Sequence, residues 1–292
     1  MKKLIVILAV SALLLRPALA GAQTVPFLNL GYNAEQMAMG STYATANGAA
    51  AFSENSTADI SYFNWQPKAS NSTMVGFDAA VKAGSRIAVL IDGKFNALPE
   101  IQGFDSFGNP AGAIKSSQMY AAAGAAYAIT ENVAAFAKAK FVSDNLTDDA
   151  KAGAVCADLG FNYRIEGLDL ALIVSNIGSK LNYGISSYSL PMLVKAGAVK
   201  TIDAGEKCAV KFAADAGYIL SAKSLSAGIG AELKLIDMID IRAGYHLGTE
   251  AEPSFASVGL GVDVSALKFS AAYLIGPKEA GNTIAATLGF AF

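Results

Sequence analysis

From about residue 72 to its last residue the chain alternates, segment after segment, between large apolar side chains and small or polar ones. That is the period-two signature of strands with two different faces. Over 240–247, Ile241, Ala243, Tyr245 and Leu247 take one face while Asp240, Arg242, Gly244 and His246 take the other. A helical period would mix the two sets. Over 207–218, Cys208, Val210, Phe212, Ala214 and Tyr218 oppose Lys207, Lys211, Asp215 and Gly217, and the closing segment sets Ile284, Ala286, Leu288, Phe290 and Phe292 against Thr283, Ala285, Thr287, Gly289 and Ala291.

Hydrophobic residues make up 53% of the chain. Beyond the N-terminus, however, no segment reaches the roughly 18 to 20 uninterrupted apolar residues of a membrane helix. Hydrophobicity spread over short two-faced strands fits the other structure that satisfies every backbone group in lipid, a closed barrel. Counting places strands near 40–46, 72–82, 85–95, 117–129, 133–143, 151–164, 168–175, 190–200, 207–219, 224–235, 239–247, 254–264, 267–275 and 282–292. The fold class is therefore all-β, a transmembrane antiparallel barrel of about fourteen strands, with twelve as the alternative count. Connections after even-numbered strands are tight (83–84, 130–132, 165–167, 236–238, 265–266), and those at 47–71, 96–116 and 176–189 are long. Short periplasmic turns, long outer loops and periplasmic termini follow from that pattern.

The N-terminus reads differently. Met1-Lys2-Lys3, the apolar run 4–15 and Pro17-Ala18-Leu19-Ala20-Gly21-Ala22 have the order of a secretory signal peptide, 1–22, cleaved after Ala20 or Ala22. No cysteine follows to take a lipid anchor. Residues 23–39, apolar around 34–39, are expected as a periplasmic or plug-like segment ahead of the barrel at 40–292, and 47–71 as an outer loop with a helical turn. The expected location is the outer membrane of a Gram-negative bacterium. The terminal Phe292, ending an alternating strand, is similar to the signal read by the barrel insertion machinery.

Strand phase turns Arg86, Asp92, Lys94, Lys138, Lys140, Asp158, Arg164, Asp169, Lys195, Lys211, Asp215, Glu232, Lys234, Asp240, Arg242 and Lys268 inward. Charges at membrane depth are tolerated where they face a lumen and find partners. With neither sign dominant, a salt-bridge network filling a narrow barrel is the plainer reading, and a solute path the functional one. The formal net charge of −2 gives no basic footprint for nucleic acid. One histidine, His246, rules out histidine triads and multi-histidine metal sites by count. Cys156 is phased inward and Cys208 outward on nonadjacent strands, which predicts two free thiols. No catalytic pair, metal spacing or cofactor loop stands out, so the expectation is a binding or transport protein without a cofactor. In-strand glycines such as Gly228, Gly230, Gly244 and Gly259 suggest close packing or curvature. Aromatic residues, among them Tyr32, Tyr43, Phe63, Trp65, Tyr120, Tyr127, Tyr163, Tyr218, Tyr245 and Tyr273, are candidates for interfacial girdles.

Three segments resemble the PorV/PorQ group of outer-membrane proteins, which belongs to the FadL-like fourteen-stranded barrels. One is 34–44, with Met39-Gly40 before a small residue, an aromatic and alanine. Another is Asn176-Ile177-Gly178 leading through Tyr183 to Leu190-Pro191, and the third is Arg242-Ala243-Gly244-Tyr245. Where that family carries Asn-Pro-Ala-Gly after its first strand, this chain has Asn64-Trp65-Gln66-Pro67-Lys68-Ala69. The resemblance implies a component of type IX protein secretion that binds the C-terminal domains of secreted cargo or other secretion subunits. Its alternative is a FadL-like channel for hydrophobic small molecules. A soluble secreted β-sandwich adhesin is a third reading, disfavoured by the two-faced apolar pattern.

Overall fold

The computed structural model describes residues 25–66, 71–104, 107–147, 149–184, 186–248, 252–278 and 280–292. The signal peptide expected at 1–22 lies outside the described residues, as do residues 23 and 24. In chain order the strands are β1 (Thr57–Gln66), β2 (Ser72–Lys82), β3 (Ile87–Ala97), β4 (Ile101–Phe104), β5 (Pro110–Ile114), β6 (Ser117–Ala128), β7 (Val133–Asn145), β8 (Lys151–Ile165) and β9 (Leu168–Gly178). They continue as β10 (Lys180–Asn182), β11 (Ser187–Ser189), β12 (Leu193–Asp203), β13 (Cys208–Ile219), β14 (Ser224–Leu235), β15 (Ile239–Leu247), β16 (Phe255–Val264), β17 (Leu267–Ile275) and β18 (Asn282–Ala291).

Fourteen of these close into one antiparallel barrel; β4–β5 and β10–β11 are two-stranded ribbons in outer loops. Closure pairs β1 with β18 from Thr57↔Ala291 to Gln66↔Asn282, so the wall has no free edge. Below that seam Ser56 N donates to Phe292 O at 2.8 Å and Phe292 N to Ser56 O at 3.0 Å, holding the C-terminus at the short-turn end.

Barrel strands run from 9 to 15 residues, long enough to cross a hydrocarbon core when tilted. The outward positions are apolar and exposed, among them Ile60, Phe77, Val155, Phe161, Leu172, Ile229, Leu260 and Leu288. A surface this continuous suits lipid and not water. Tyr127 and Tyr163 face outward near the short-turn end, and Tyr62, Tyr218, Tyr245 and Tyr273 near the long-loop end, as two aromatic belts. Tyr43, Phe63 and Tyr120, expected as girdle candidates, instead lie buried inside the barrel, and Tyr32 is half-buried there against Tyr43.

The strand expected at 40–46 is not one. The first strand is β1, inside the segment read as an outer loop, and residues 25–56 fill the lumen. This filling segment carries a 3-10 turn, Pro26–Asn29, a short helix, Ala34–Ala38, and helical turns at Ala46–Ala49 and Ala50–Phe52. The plug therefore extends well past the boundary expected at residue 39. The run Ser41-Thr42-Tyr43-Ala44 alternates, but its backbone meets lumen side chains in place of a neighbouring strand. Tyr43 N and Ala44 N both donate to Asp215 Oδ2, at 2.7 and 3.0 Å.

Arg86, expected inward, sits exposed in the β2–β3 turn, because β3 begins at Ile87 and not at 85. Cys156 and Cys208 are both free, on β8 and β13.

Candidate functional site

Glycines make the seat on which the plug rests. A short helix capped by Asn33, whose Oδ1 accepts from Gln36 N at 3.1 Å, delivers Met39 and Gly40 to the wall of β14–β16. Gly40 has φ +72°, a left-handed conformation that disfavours side chains. A β-carbon built at Gly244 would overlap Gly40 N, one at Gly228 would overlap Gly40 O, and one at Gly230 would come 2.5 Å from Met39 Cβ. Two of the motifs singled out in the sequence, Met39-Gly40 and Arg242-x-Gly244-Tyr245, therefore meet across the lumen. Ser257 Oγ donates to Ala38 O at 2.8 Å and accepts from Gly40 N at 3.2 Å. Tyr245 itself faces lipid, 46% exposed, while its carbonyl abuts Gly40.

The inward charges serve the plug. Irregular backbone inside a barrel has no ladder to pair with, and unpaired buried carbonyls are costly. Lys94 Nζ donates to Leu30 O and Gly31 O at 2.7 and 2.8 Å, Asn162 Nδ2 to Thr45 O at 2.7 Å, and Lys82 Nζ to Ala51 O at 2.9 Å. Others pair with one another: Lys138 with Asp92 at 2.5 Å, Lys140 with Asp158 at 2.8 Å, Arg242 with Glu232 and Asp240 at 2.6 and 2.7 Å, and Lys234 with Asp263 at 2.6 Å. Glu35 of the plug enters the last cluster through Lys211 at 3.0 Å and Arg242 at 3.7 Å. The Lys211 ammonium, opposed by burial and helped by Arg242, holds the Glu35 carboxyl down at about 2.

Asn176 is a bulge residue. Pairing of β8 with β9 shifts register between Ala157 and Leu159, and Asn176 takes φ +60° there. Its N–H donates to Asp158 Oδ1 at 2.8 Å, its Oδ1 accepts from Lys140 Nζ at 2.9 Å, and its Nδ2 donates to Asn29 Oδ1 and Pro191 O, each at 3.0 Å. Past Gly178, which pairs with Cys156 where a β-carbon would overlap Val155 O, the chain turns inward. Leu181, Leu190 and Pro191 are buried on the plug, and Tyr183 OH donates to Asp144 Oδ2 at 2.6 Å. His246 is also internal: Nδ1 lies 3.3 Å from Gly40 O, Nε2 3.4 Å from Glu252 Oε1, and its ring stacks on Phe255. Phe292 sits at the barrel's short-turn rim, stacked on Phe290 at 5.5 Å.

Above the plug, in the long-loop half of the lumen, lies a cavity of about 330 Å³. Phe27, Leu30 and Met37 of the plug form its floor, Phe63, Met74 and Leu274 its walls, and Trp65, Pro253, Phe255 and Ala280 its mouth. Trp65 Nε1 donates to Ala280 O at 2.6 Å, tying the end of β1 to the β17–β18 loop. A shaped apolar cavity with a few polar groups is what a small apolar ligand needs. In the sequence Phe63 and Trp65 stood only as girdle candidates and Met37 only within the 34–44 motif, and the others were not singled out. Strand parity was the available signal, since Met74 and Leu274 are large apolar residues at inward positions.

No protein-family model matches the chain, and no curated protein matches it. Among solved structures it resembles the Ralstonia pickettii toluene transporter TbuX, with TM-score 0.62, 14% identity, and coverage of 91% of this chain and 99% of that one. The P. putida toluene transporter TodX matches with TM-score 0.61 and 13% identity over 90% and 98% of the two chains. A Pseudomonas aeruginosa FadL homologue matches with TM-score 0.50 and 9% identity over 94% and 98%. The fold is thus a closed fourteen-stranded barrel of FadL-like architecture.

Proposed function

We propose that this protein is an outer-membrane channel for hydrophobic small molecules, the second of the two roles implied by the sequence. The observation that carries the reading is the apolar cavity enclosed between plug and outer loops. Its support is the architecture shared with two proteins described as toluene transporters. The lipid-matched exterior and belted tyrosines support the location. A molecule entering at the loop end would rest on Phe27, Leu30 and Met37, and its onward passage needs the N-terminal segment to give way. Uptake of labelled toluene and of labelled fatty acid by cells with and without the gene tests the reading. Equal uptake of both in the two strains would overturn it.

The secretion role draws on the PorV/PorQ resemblance and on the outer hairpin β4–β5, which exposes Ile101 and Phe104. Against it, the motifs that carry the resemblance are spent inside the barrel: Met39, Gly40, Asn176, Leu190, Pro191 and Arg242 are buried on the plug or its anchors. A changed set of surface and secreted proteins in the deletion strain would favour secretion over transport.

A further inference from the structure

We propose that the cavity selects uncharged amphiphiles, apolar molecules with one neutral hydrogen-bonding head such as a hydroxyl, and rejects carboxylates. This rests on the channel reading and names its substrate class. One wall of the otherwise apolar cavity is a polar row contributed by β2, β3 and β6. Ser72 Oγ donates to Asn96 Oδ1 at 2.9 Å, Asn96 Nδ2 to Gln118 Oε1 at 3.3 Å, and Gln118 Nε2 to Asp144 Oδ1 at 3.4 Å. Ser72, Asn96 and Gln118 all line the cavity.

A carboxamide nitrogen carries two N–H bonds. The row uses one on Asn96 and one on Gln118, which leaves each a second donor for a ligand oxygen, and Ser72 Oγ keeps acceptor capacity. A pure hydrocarbon packed against this wall would strip these groups of water and give nothing back. A hydroxyl would pair with them.

Charge decides the rest. Among the described lining residues Glu252 is the one charged group, and no cation is present. Asp144 stands directly behind Gln118. Lys94, two residues from Asn96 on β3, spends its ammonium on Leu30 O and Gly31 O. A carboxylate head would be desolvated with no counter-charge and with carboxylates on both sides, which is strongly unfavourable. Glu252 itself stands 3.4 Å from His246 Nε2 and contributes no group to the polar row.

Trp65, the sole tryptophan of the chain, lines the cavity, so protein labelled with 5-fluorotryptophan gives one fluorine resonance that reports occupancy. In detergent at pH 8 it is titrated with toluene, p-cresol and p-toluate, which share a ring and differ in head group, with concentrations corrected for partition into micelles. The expected result is half-saturation by p-cresol at about tenfold lower concentration than toluene, the effect of one or two net hydrogen bonds, and no saturable shift with p-toluate. Asn96→Leu combined with Gln118→Leu brings p-cresol to the level of toluene while toluene binding persists, which also shows that the variant is folded. Toluene or p-toluate binding as tightly as p-cresol overturns the selectivity and leaves the channel reading standing. No saturable shift with any of the three removes the channel reading itself.

Discussion

Asn176 on β9 and Asn29 in the plug meet through their side-chain amides, Nδ2 to Oδ1 at 3.0 Å. The same Asn176 receives Lys140 and caps Asp158 with its own N–H, so one bulge residue joins two wall strands, a buried ion pair and the plug. Replacing its side chain removes acceptor and donor together and leaves Lys140, Asn29 and the Pro191 carbonyl short of a partner, while the backbone N–H to Asp158 stays. Asn176→Ala is expected to cost about 2–4 kcal/mol, from unsatisfied buried groups plus the loss of asparagine's tolerance of positive φ. Asn176→Gly recovers only the backbone part. Urea titrations of the folded barrel in detergent measure both.

The glycine seat predicts a sharper separation between plug and barrel. Gly244→Val places side-chain atoms where Gly40 N now lies. The wall can keep its ladder with β14 and β16, so the barrel should still form. The N-terminal segment should lose its seat, at a cost of about 1–3 kcal/mol. Heat-modifiable migration on electrophoresis reads the barrel, and protease cleavage within 25–56 reads the plug. A variant with an intact barrel and a protected plug would show that the close approach is dispensable.

Protonation of Glu35 should loosen the same segment in acid only. Its carboxyl is lowered from 4.5 to about 2, first by Lys211, so the pairing contributes fully above the unfolded value and is lost as pH falls through about 2. Wild type and Glu35→Gln should therefore differ in amide exchange over 25–56 at pH 7 and converge toward pH 2. A difference that grows in acid would reverse the sign.

Both thiols are free, one buried on β8 and one half-buried on β13. Denatured, unreduced protein should take up two equivalents of maleimide, and folded protein should leave Cys156 unlabelled. No uptake after denaturation, the mark of a disulfide between the two, would contradict the strand phases.

Much of the barrel could be read from the sequence because lipid outside and charge inside write opposite residue types on alternate positions, as along β13 and β15. β1 escaped for the physical reason that makes the site. Its inward Phe63 faces the apolar cavity in place of water or charge, so Tyr62 and Phe63 break the alternation, and Asp59 and Asn64 made the segment look like a loop. Conversely 40–46 alternates without being a strand. The motif residues Met39, Gly40 and Gly244 were visible as a pattern, but their contact spans about two hundred residues and only the closed barrel brings them together. Asn176 was visible for the same reason, whereas its bulge was not, since no local rule ties an Asn in a strand to Asp158 and Lys140 on neighbouring ones. Cavity residues from the plug, Phe27, Leu30 and Met37, carry no periodicity at all.

The most direct test of an apolar ligand site above the plug is quenching of Trp65 fluorescence by bromobenzene in the purified protein. The account predicts saturable quenching that excess toluene reverses, because Trp65 stands at the mouth of one finite cavity. Quenching that rises linearly with bromobenzene in the micelle, untouched by toluene, would contradict it.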